Sequence, residues 1–135
     1  HRLYARHDML EAASQMARGL MGAQRHDGAL PGRLDRTWRG MVPWSCLTGN
    51  VQIADCWFYL ARATDSPDFA AAAVRANAFV RRTIRVDGPA PIRGVVKGSF
   101  PVDGDYGRFE YLNWAAKFTI DACLTELRAR SMSPA

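Results

Sequence analysis

The sequence predicts an all-α protein built from two tandem helical hairpins. Three observations support this fold class. Apolar residues recur at helical spacing in four segments, which are separated by two long stretches containing Gly and Pro and by one short link. One sequence pattern also occurs twice, at 25–33 and at 85–93. The 135 residues are long enough to bury a core as a single domain. We therefore expect about four main helices, arranged as two similar units.

The first predicted hairpin covers residues 8–63. Its first helix, about 8–24, begins at Asp8, because aspartate commonly caps helices and apolar residues recur at helical spacing after it. A polar loop containing Gly and Pro separates this helix from the second, about 49–63. The second helix carries Trp57 on its apolar side, so we expect this side chain in the core.

The second predicted hairpin covers residues 67–128. A proline opens its first helix, about 67–84, because proline fits the first position of a helix. Another long loop leads to the fourth helix, about 110–128, where we expect Trp114 in the core. Neither long loop has a pattern that predicts a strand. We expect residues 129–135 to form a flexible tail.

The internal repeat relates the two hairpins to each other. The pattern R-x-D-G-x-x-P-x-R stands at 25–33 and again at 85–93, and the shift that aligns the two copies also places Phe58 on Phe118. Self-similarity at a fixed period is typical of stacked supersecondary units. A structural turn recurs in every unit, whereas a catalytic group usually breaks the repeat. We therefore expect the repeated Asp-Gly pairs and arginines to be scaffold.

The connectivity predicts where a functional site would lie. Antiparallel helices joined in this way bring both long loops to one end of the molecule, and the short link at 64–66 lies at the other end. Loops held by rigid elements commonly carry function. We therefore expect any site at the end that carries the two long loops.

Composition excludes some classes of partner. The formal net charge is +5, but the 18 Lys and Arg residues are scattered and form no dense block of the kind that binds nucleic acid. We expect no nucleic-acid partner. The chain has no apolar run of about 18 residues, which predicts no membrane span.

The three cysteines, Cys46, Cys56 and Cys123, lack the spacing of metal ligands, and their odd number argues against a disulfide framework. We expect reduced thiols in the core. Together with the lack of a secretory signal pattern, reduced thiols indicate a cytoplasmic location. The chain opens at His1 without an initiator methionine, so we expect a piece of a longer protein.

Several segments resemble bacterial α/α-toroid proteins: Q-R-H-D-G at 24–28, S-C-L-T-G-N-V-Q at 45–52, R-G-V-V-K-G-S-F-P at 93–101 and Y-L-N-W-A-A-K-F at 111–118. Such proteins are related in fold to the terpenoid cyclase/prenyltransferase superfamily and the six-hairpin glycosidases, and some are found with polysaccharide-biosynthesis genes. The resemblance implies a partial α/α toroid that binds or processes a bacterial oligo- or polysaccharide. It also implies that the rest of a longer chain, or a homo-oligomer, completes the ring.

Two other functions remain open. The segment 24–28 resembles the Q-x-x-D-G turn of squalene-cyclase-like repeats, but Ala29 and Leu30 stand where a tryptophan is expected. The D-x-D-D acid motif is also absent, which weighs against a prenyl or terpenoid enzyme. The alternative from a different class is a non-catalytic helical-repeat module that binds a partner protein.

The candidate site residues come from both long loops, and whether the protein is an enzyme stays open. A glycoside hydrolase needs two carboxyl groups that flank the scissile bond, whereas a lyase or epimerase needs Tyr or Lys to move a proton. Sugar binding needs aromatic faces and polar groups. We expect no cofactor, and the histidines show no metal-ligand spacing. The catalytic candidates are Asp35, Asp103, Asp105, Tyr106 and Glu110, and the substrate-binding candidates are Trp38, Trp44, Lys97, Arg108 and Tyr111.

Overall fold

The computed structural model describes residues 6–131, and these are mainly α-helical. The helices are α1 (His7–Ala23), α2 (Leu47–Thr64), α3 (Pro67–Thr83) and α4 (Asn113–Ser131). The prediction of an all-α fold with about four main helices is therefore confirmed. Over the described residues, no helix is long and apolar enough to cross a membrane.

The start of α1 differs from the prediction. The N-cap position is Arg6, and Asp8 lies inside the first helical turn. The Asp8 carboxylate accepts a hydrogen bond of 2.5 Å from the Arg6 guanidinium. A negative charge in the first turn still favours the helix, because it faces the positive end of the helix dipole.

The bounds of α4 also differ from the prediction. The helix begins at Asn113 and continues to Ser131. Residues 129–131, which the sequence places in the predicted flexible tail, are helical. The remaining residues, 132–135, lie outside the described part of the chain.

The spacing between the two first helices of the hairpins differs from the spacing between the two second helices. The starts of α1 and α3, at His7 and Pro67, keep the spacing of the sequence pattern. The starts of α2 and α4, at Leu47 and Asn113, lie further apart, because the second long loop is longer than the first. The alignment of Phe58 with Phe118 is therefore wrong as a structural equivalence, since Phe58 lies in the middle of α2 and Phe118 near the start of α4.

The repeated Asp-Gly turn after α1 and α3 requires glycine. Gly28 has a φ of 90° and Gly88 a φ of 109°, values that L side chains rarely adopt. A Cβ at Gly28 would lie 2.1 Å from the backbone oxygen of Arg75 in α3, whereas the nearest atom to a Cβ at Gly88 is 3.5 Å away in the Arg85 guanidinium. The first copy of the turn therefore packs directly on α3.

This difference predicts unequal effects of the same substitution. Gly28→Ala is expected to lower the free energy of unfolding by about 2 kcal/mol more than Gly88→Ala, because both strain the backbone but only the first displaces α3. Equilibrium urea denaturation of the two variants measures this difference. Equal losses would contradict the close packing of the first turn on α3.

The core follows α2, which packs against both α3 and α4. One cluster of buried side chains includes Trp57 and Phe58 of α2 with Phe69 of α3, and a second includes Val51 of α2 with Ala115 of α4. Because apolar burial is the main favourable contribution to folding, α2 is the central element of the protein. The prediction that Trp57 lies in the core is confirmed.

Trp114 and the cysteines do not lie in the core, contrary to the prediction. Trp114 is 49% exposed, because the first turn of α4 reaches the surface at the loop end. The cysteines are free thiols, but Cys56 is exposed and both Cys46 and Cys123 are half-buried. Cys46 precedes α2, and its sulfur accepts a hydrogen bond of 3.3 Å from the amide of Gly49, so it acts as the N-cap.

One short antiparallel ladder joins the two long loops, where the sequence predicted no strand. Strand β1 (Ser45–Cys46) pairs with β2 (Ser99–Phe100), and the amide of Leu47 donates to the carbonyl of Gly98 at 3.0 Å. Strands of two residues are too short to produce a hydrophobic alternation, so the sequence does not reveal them. The ladder brings both long loops to one end of the molecule, as the connectivity predicts.

Candidate functional site

A groove of about 380 Å³ opens between the two long loops. Its apolar lining includes Leu20 of α1, Leu30 of the first loop and Ile53 of α2. The polar and aromatic residues that line it are Arg33, Trp44, Asn50, Asp105 and Tyr106. An apolar groove with a few convergent polar groups is typical of small-molecule sites.

An ion pair bridges the two loops at this groove. The Arg33 guanidinium donates to the Asp105 carboxylate at 2.5 Å, and it also lies 5.7 Å from the centre of the Trp44 ring. Both charged side chains are mostly exposed, so the pair adds little to stability. Because it stays accessible, the pair can exchange its mutual hydrogen bond for hydrogen bonds to a ligand.

The first loop fixes the position of Trp44. The amide of Gly32 donates to the Trp44 carbonyl at 2.7 Å, and a Cβ at Gly32 would lie 2.1 Å from the Trp44 ring. The indole therefore lies directly against the Gly32 backbone. Glycine is required at this position because any other residue would push the ring out of its place.

Tyr106 is held by two neighbours that the sequence did not assign to the site. The Ser99 hydroxyl donates to the Tyr106 carbonyl at 2.7 Å and accepts from the Tyr106 amide at 3.1 Å, and Ser99 is fully buried in β2. The Trp114 indole donates to the Tyr106 hydroxyl at 3.2 Å. These contacts order the tyrosine, and no local pattern in the sequence indicates either of them.

Asn50 forms part of the groove lining but has its hydrogen bonds within the protein. Its amide oxygen accepts from the Leu30 amide at 2.8 Å, and its amide nitrogen donates to the Gly28 carbonyl at 3.2 Å. The side chain is almost fully buried. Asn50 therefore fixes the first loop to α2, and we assign it a structural role.

Asp35 and Trp38 shape the first loop and do not line the groove. The Asp35 carboxylate accepts hydrogen bonds from the Arg39 amide and from the amide and hydroxyl of Thr37. The hydrogen bond from the Arg39 amide has the largest effect. Together these bonds lower the pKa of Asp35 and favour its ionised form. Trp38 has a φ of 64°, and its indole packs against Gly19 of α1. It therefore anchors the loop to the helix.

Lys97 interacts with the end of α3. Its ammonium donates to the carbonyl of Thr83, the last residue of α3, at 2.7 Å. Burial, with the nearby Arg85 charge, lowers the pKa of Lys97. A cation at the C-terminus of a helix satisfies a free carbonyl and favours the helix dipole, so this contact is structural.

The other candidates of the second loop also lie outside the groove. Asp103, Glu110 and Tyr111 do not line it, and the guanidinium of Arg108 lies 5.4 Å from the ring centre of the adjacent Phe109. Of the four candidate carboxylates, Asp105 is the one that lines the groove. The structure therefore does not bring two of them together there, as a glycosidase mechanism requires.

No metal site is evident over residues 6–131, where no group of three His, Cys, Asp or Glu side chains is arranged to hold a metal ion. The sequence matches no protein-family model, no curated protein and no solved structure. Fold and groove therefore define the class: an all-α protein of helical hairpins, with an open groove between its long loops. The resemblance to α/α-toroid proteins stays a prediction.

Proposed function

We propose that this protein is an α/α-toroid-type module that binds an oligosaccharide of bacterial polysaccharide metabolism in the groove between its long loops. One observation carries the proposal. Aromatic side chains, Trp44 and Tyr106, share a single preformed groove with the exposed ion pair between Arg33 and Asp105.

The chemistry of this groove suits a sugar. Pyranose rings present C–H surfaces that pack on aromatic side chains, and their hydroxyls form strong hydrogen bonds with charged groups. Trp44 and Tyr106 supply the aromatic surface, and the ion pair supplies both donors and acceptors. The volume of about 380 Å³ lies at the lower end of the usual range for ligand sites. A short segment of a glycan fits these features.

Binding fits the groove better than hydrolysis does. A glycoside hydrolase uses one protonated and one ionised carboxyl group. Asp105 lines the groove but is engaged by Arg33, and Asp35, whose lowered pKa favours ionisation, lies outside the groove. The arrangement therefore supplies charged groups for hydrogen bonding and lacks a second carboxyl group among the predicted candidates.

A glycan array followed by calorimetry with the best-bound glycan tests the proposal. Asp105→Asn is expected to weaken binding about tenfold, because the substitution keeps the shape but removes the charge-assisted hydrogen bonds. Asp103→Asn is the matched control, since Asp103 belongs to the same loop but lies outside the groove. We expect it to bind like the unmodified protein.

Tyr106→Ala and Tyr111→Ala form a second matched pair. Both tyrosines are partly exposed in the second loop, but Tyr106 lines the groove and Tyr111 does not. Circular dichroism first confirms that each variant is folded. A protein that binds no glycan on the array, or one that loses affinity equally in both members of a pair, would overturn the proposal.

A second candidate function is the non-catalytic helical-repeat module that binds another protein. The observation that favours it lies away from the groove, on the two outermost helices. Large apolar side chains are exposed on α1, at Met9 and Met16, and on α4, at Leu124 and Leu127. Exposed apolar patches of this kind often mark interaction surfaces, for a different protein or for a second copy of the same chain.

A further inference from the structure

The joint between the two hairpins buries one face of α3. Phe69, Ala72, Ala73 and Ala76 of this helix are fully buried in the core cluster that also contains Phe58 of α2. These four positions recur at helical spacing and form one continuous strip. We call this strip the entry face, because it is the side on which the second hairpin meets the first.

Helix α1 has an equivalent entry face, which is exposed. The shift that aligns the start of α1 with the start of α3 places the four α3 residues on Met9, Ala12, Ala13 and Met16 of α1. All four are apolar and exposed, and Met9 and Met16 have 55% and 61% of their surface accessible. The strip of the first helix that corresponds to the buried strip of the third helix is therefore exposed to solvent.

The surface of α2 that packs on the entry face of α3 forms the other side of the joint, and α4 has a corresponding surface. Ala54 and Phe58 of α2 are buried in the joint cluster, with Ala61 packed against it. We call these three residues the exit face of α2. When the start of α2 is aligned with the start of α4, the exit face of α4 consists of Ile120, Leu124 and Leu127. These side chains are 60%, 45% and 63% exposed.

Contacts inside each hairpin support these equivalences. In the first hairpin, the indole of Trp57 donates to the carbonyl of Ala17 at 3.1 Å. In the second, Asn77, at the position of Ala17 in the repeat, donates to the carbonyl of Ala122 at 3.1 Å. The same position of the first helix therefore contacts the second helix in both hairpins. Ala122 corresponds to Cys56 of α2, the neighbour of Trp57, so the two helix pairs meet in a similar register.

We infer that copies of this chain associate head to tail, with the exit face of α4 in one copy packed on the entry face of α1 in the next. Each chain carries both halves of this contact, and the joint between its own hairpins already shows that such faces fit together. The contact joins two different surfaces, so it is heterologous and does not have twofold symmetry.

Light scattering over a concentration series tests the association. We expect the unmodified chain to form species of two or more copies. Leu124→Glu and Met16→Glu should each weaken association about a hundredfold, because the charge would be buried without a partner. Val86→Glu is the control, since Val86 is 79% exposed in the second loop and belongs to neither face. A chain that stays monomeric at the highest concentration overturns the inference.

Disulfide trapping tests the head-to-tail geometry independently of those variants. In a background where the three native cysteines are replaced by serine, one chain carries Met16→Cys and another Leu124→Cys. Circular dichroism verifies the fold of both. After mixing and mild oxidation, we expect mainly the disulfide between the two different chains. Mainly disulfides between identical chains would indicate twofold association and would overturn the inference.

Both tests are independent of sugar binding. The two faces lie on the outer helices α1 and α4, whereas the polar residues of the groove lie mainly on the long loops. A monomeric protein that binds a glycan would overturn the association alone. An associating protein that binds no glycan would overturn the proposed function alone.

Discussion

Trp57→Ala is expected to lower the free energy of unfolding by about 4 kcal/mol, a large effect for a single substitution. Trp57 is completely buried at the centre of the first core cluster, and its indole donates to the carbonyl of Ala17. Alanine would leave a cavity between α1, α2 and α3 and remove this hydrogen bond. Equilibrium urea denaturation followed by circular dichroism measures the loss.

Two further variants separate the causes. Trp57→Phe keeps much of the apolar volume but loses the hydrogen bond, so we expect a loss of about 2 kcal/mol. Trp114→Ala should cost less than about 1 kcal/mol, because Trp114 is 49% exposed. A loss at Trp114 as large as that at Trp57 would contradict the assignment of α2 as the central element.

Glu126→Leu is expected to lower the free energy of unfolding by about 2 kcal/mol, because it removes the carboxylate that joins α3 to α4 and takes an acceptor from the buried Asn77 amide. The Glu126 side chain is only 5% exposed, and its carboxylate accepts hydrogen bonds from Arg81 at 2.7 Å and from Arg130 at 2.6 Å. Asn77 donates a further bond at 3.0 Å. The network joins α3 to α4 and extends along α4, so its loss should loosen the second hairpin.

The same residue should contribute to the loss of stability in acid. Burial alone would raise the pKa of Glu126, but the hydrogen bonds from Arg81, Asn77 and Arg130 together lower it. The unfolded chain therefore takes up a proton at a higher pH than the folded chain does. Stability from this group is complete above the ordinary glutamate value, near 4.5, and is lost as the pH falls from there through the lowered pKa.

Denaturation midpoints between neutral pH and about pH 3 measure this dependence. Glu126→Gln should flatten the acid side of the profile, because glutamine does not titrate. Glu11→Gln, which changes an exposed glutamate of α1, is the matched control and should leave the profile unchanged. The hypothesis fails if both variants retain the slope of the unmodified protein.

Local patterns in the sequence were sufficient for the elements and for part of the site. Helical periodicity, the proline at the start of α3 and the repeated Asp-Gly turn depend on neighbours within a few residues, so they can be read without a structure. The end that carries both long loops also followed from connectivity. Among the site candidates, Trp44, Asp105 and Tyr106 line the groove.

The remaining features depend on contacts between distant parts of the chain. Asp105 and Asp103 look alike in sequence, but only Asp105 meets Arg33, which lies in the other long loop. Ser99 and Trp114 order Tyr106 through contacts that no local pattern indicates. Glu126 has the ordinary appearance of a surface glutamate, and its burial follows from the packing of α4 on α3.

By itself, the sequence determined that the protein is helical and repeated, because periodicity and turn chemistry are local properties of the chain. The tertiary structure decided which surfaces meet. The greater length of the second loop shifts α4 relative to the repeat, so Trp114 lies in the first turn of α4, where it is exposed. Such outcomes depend on the register of packed helices, which is set by loop length and core contacts together and not by any single segment.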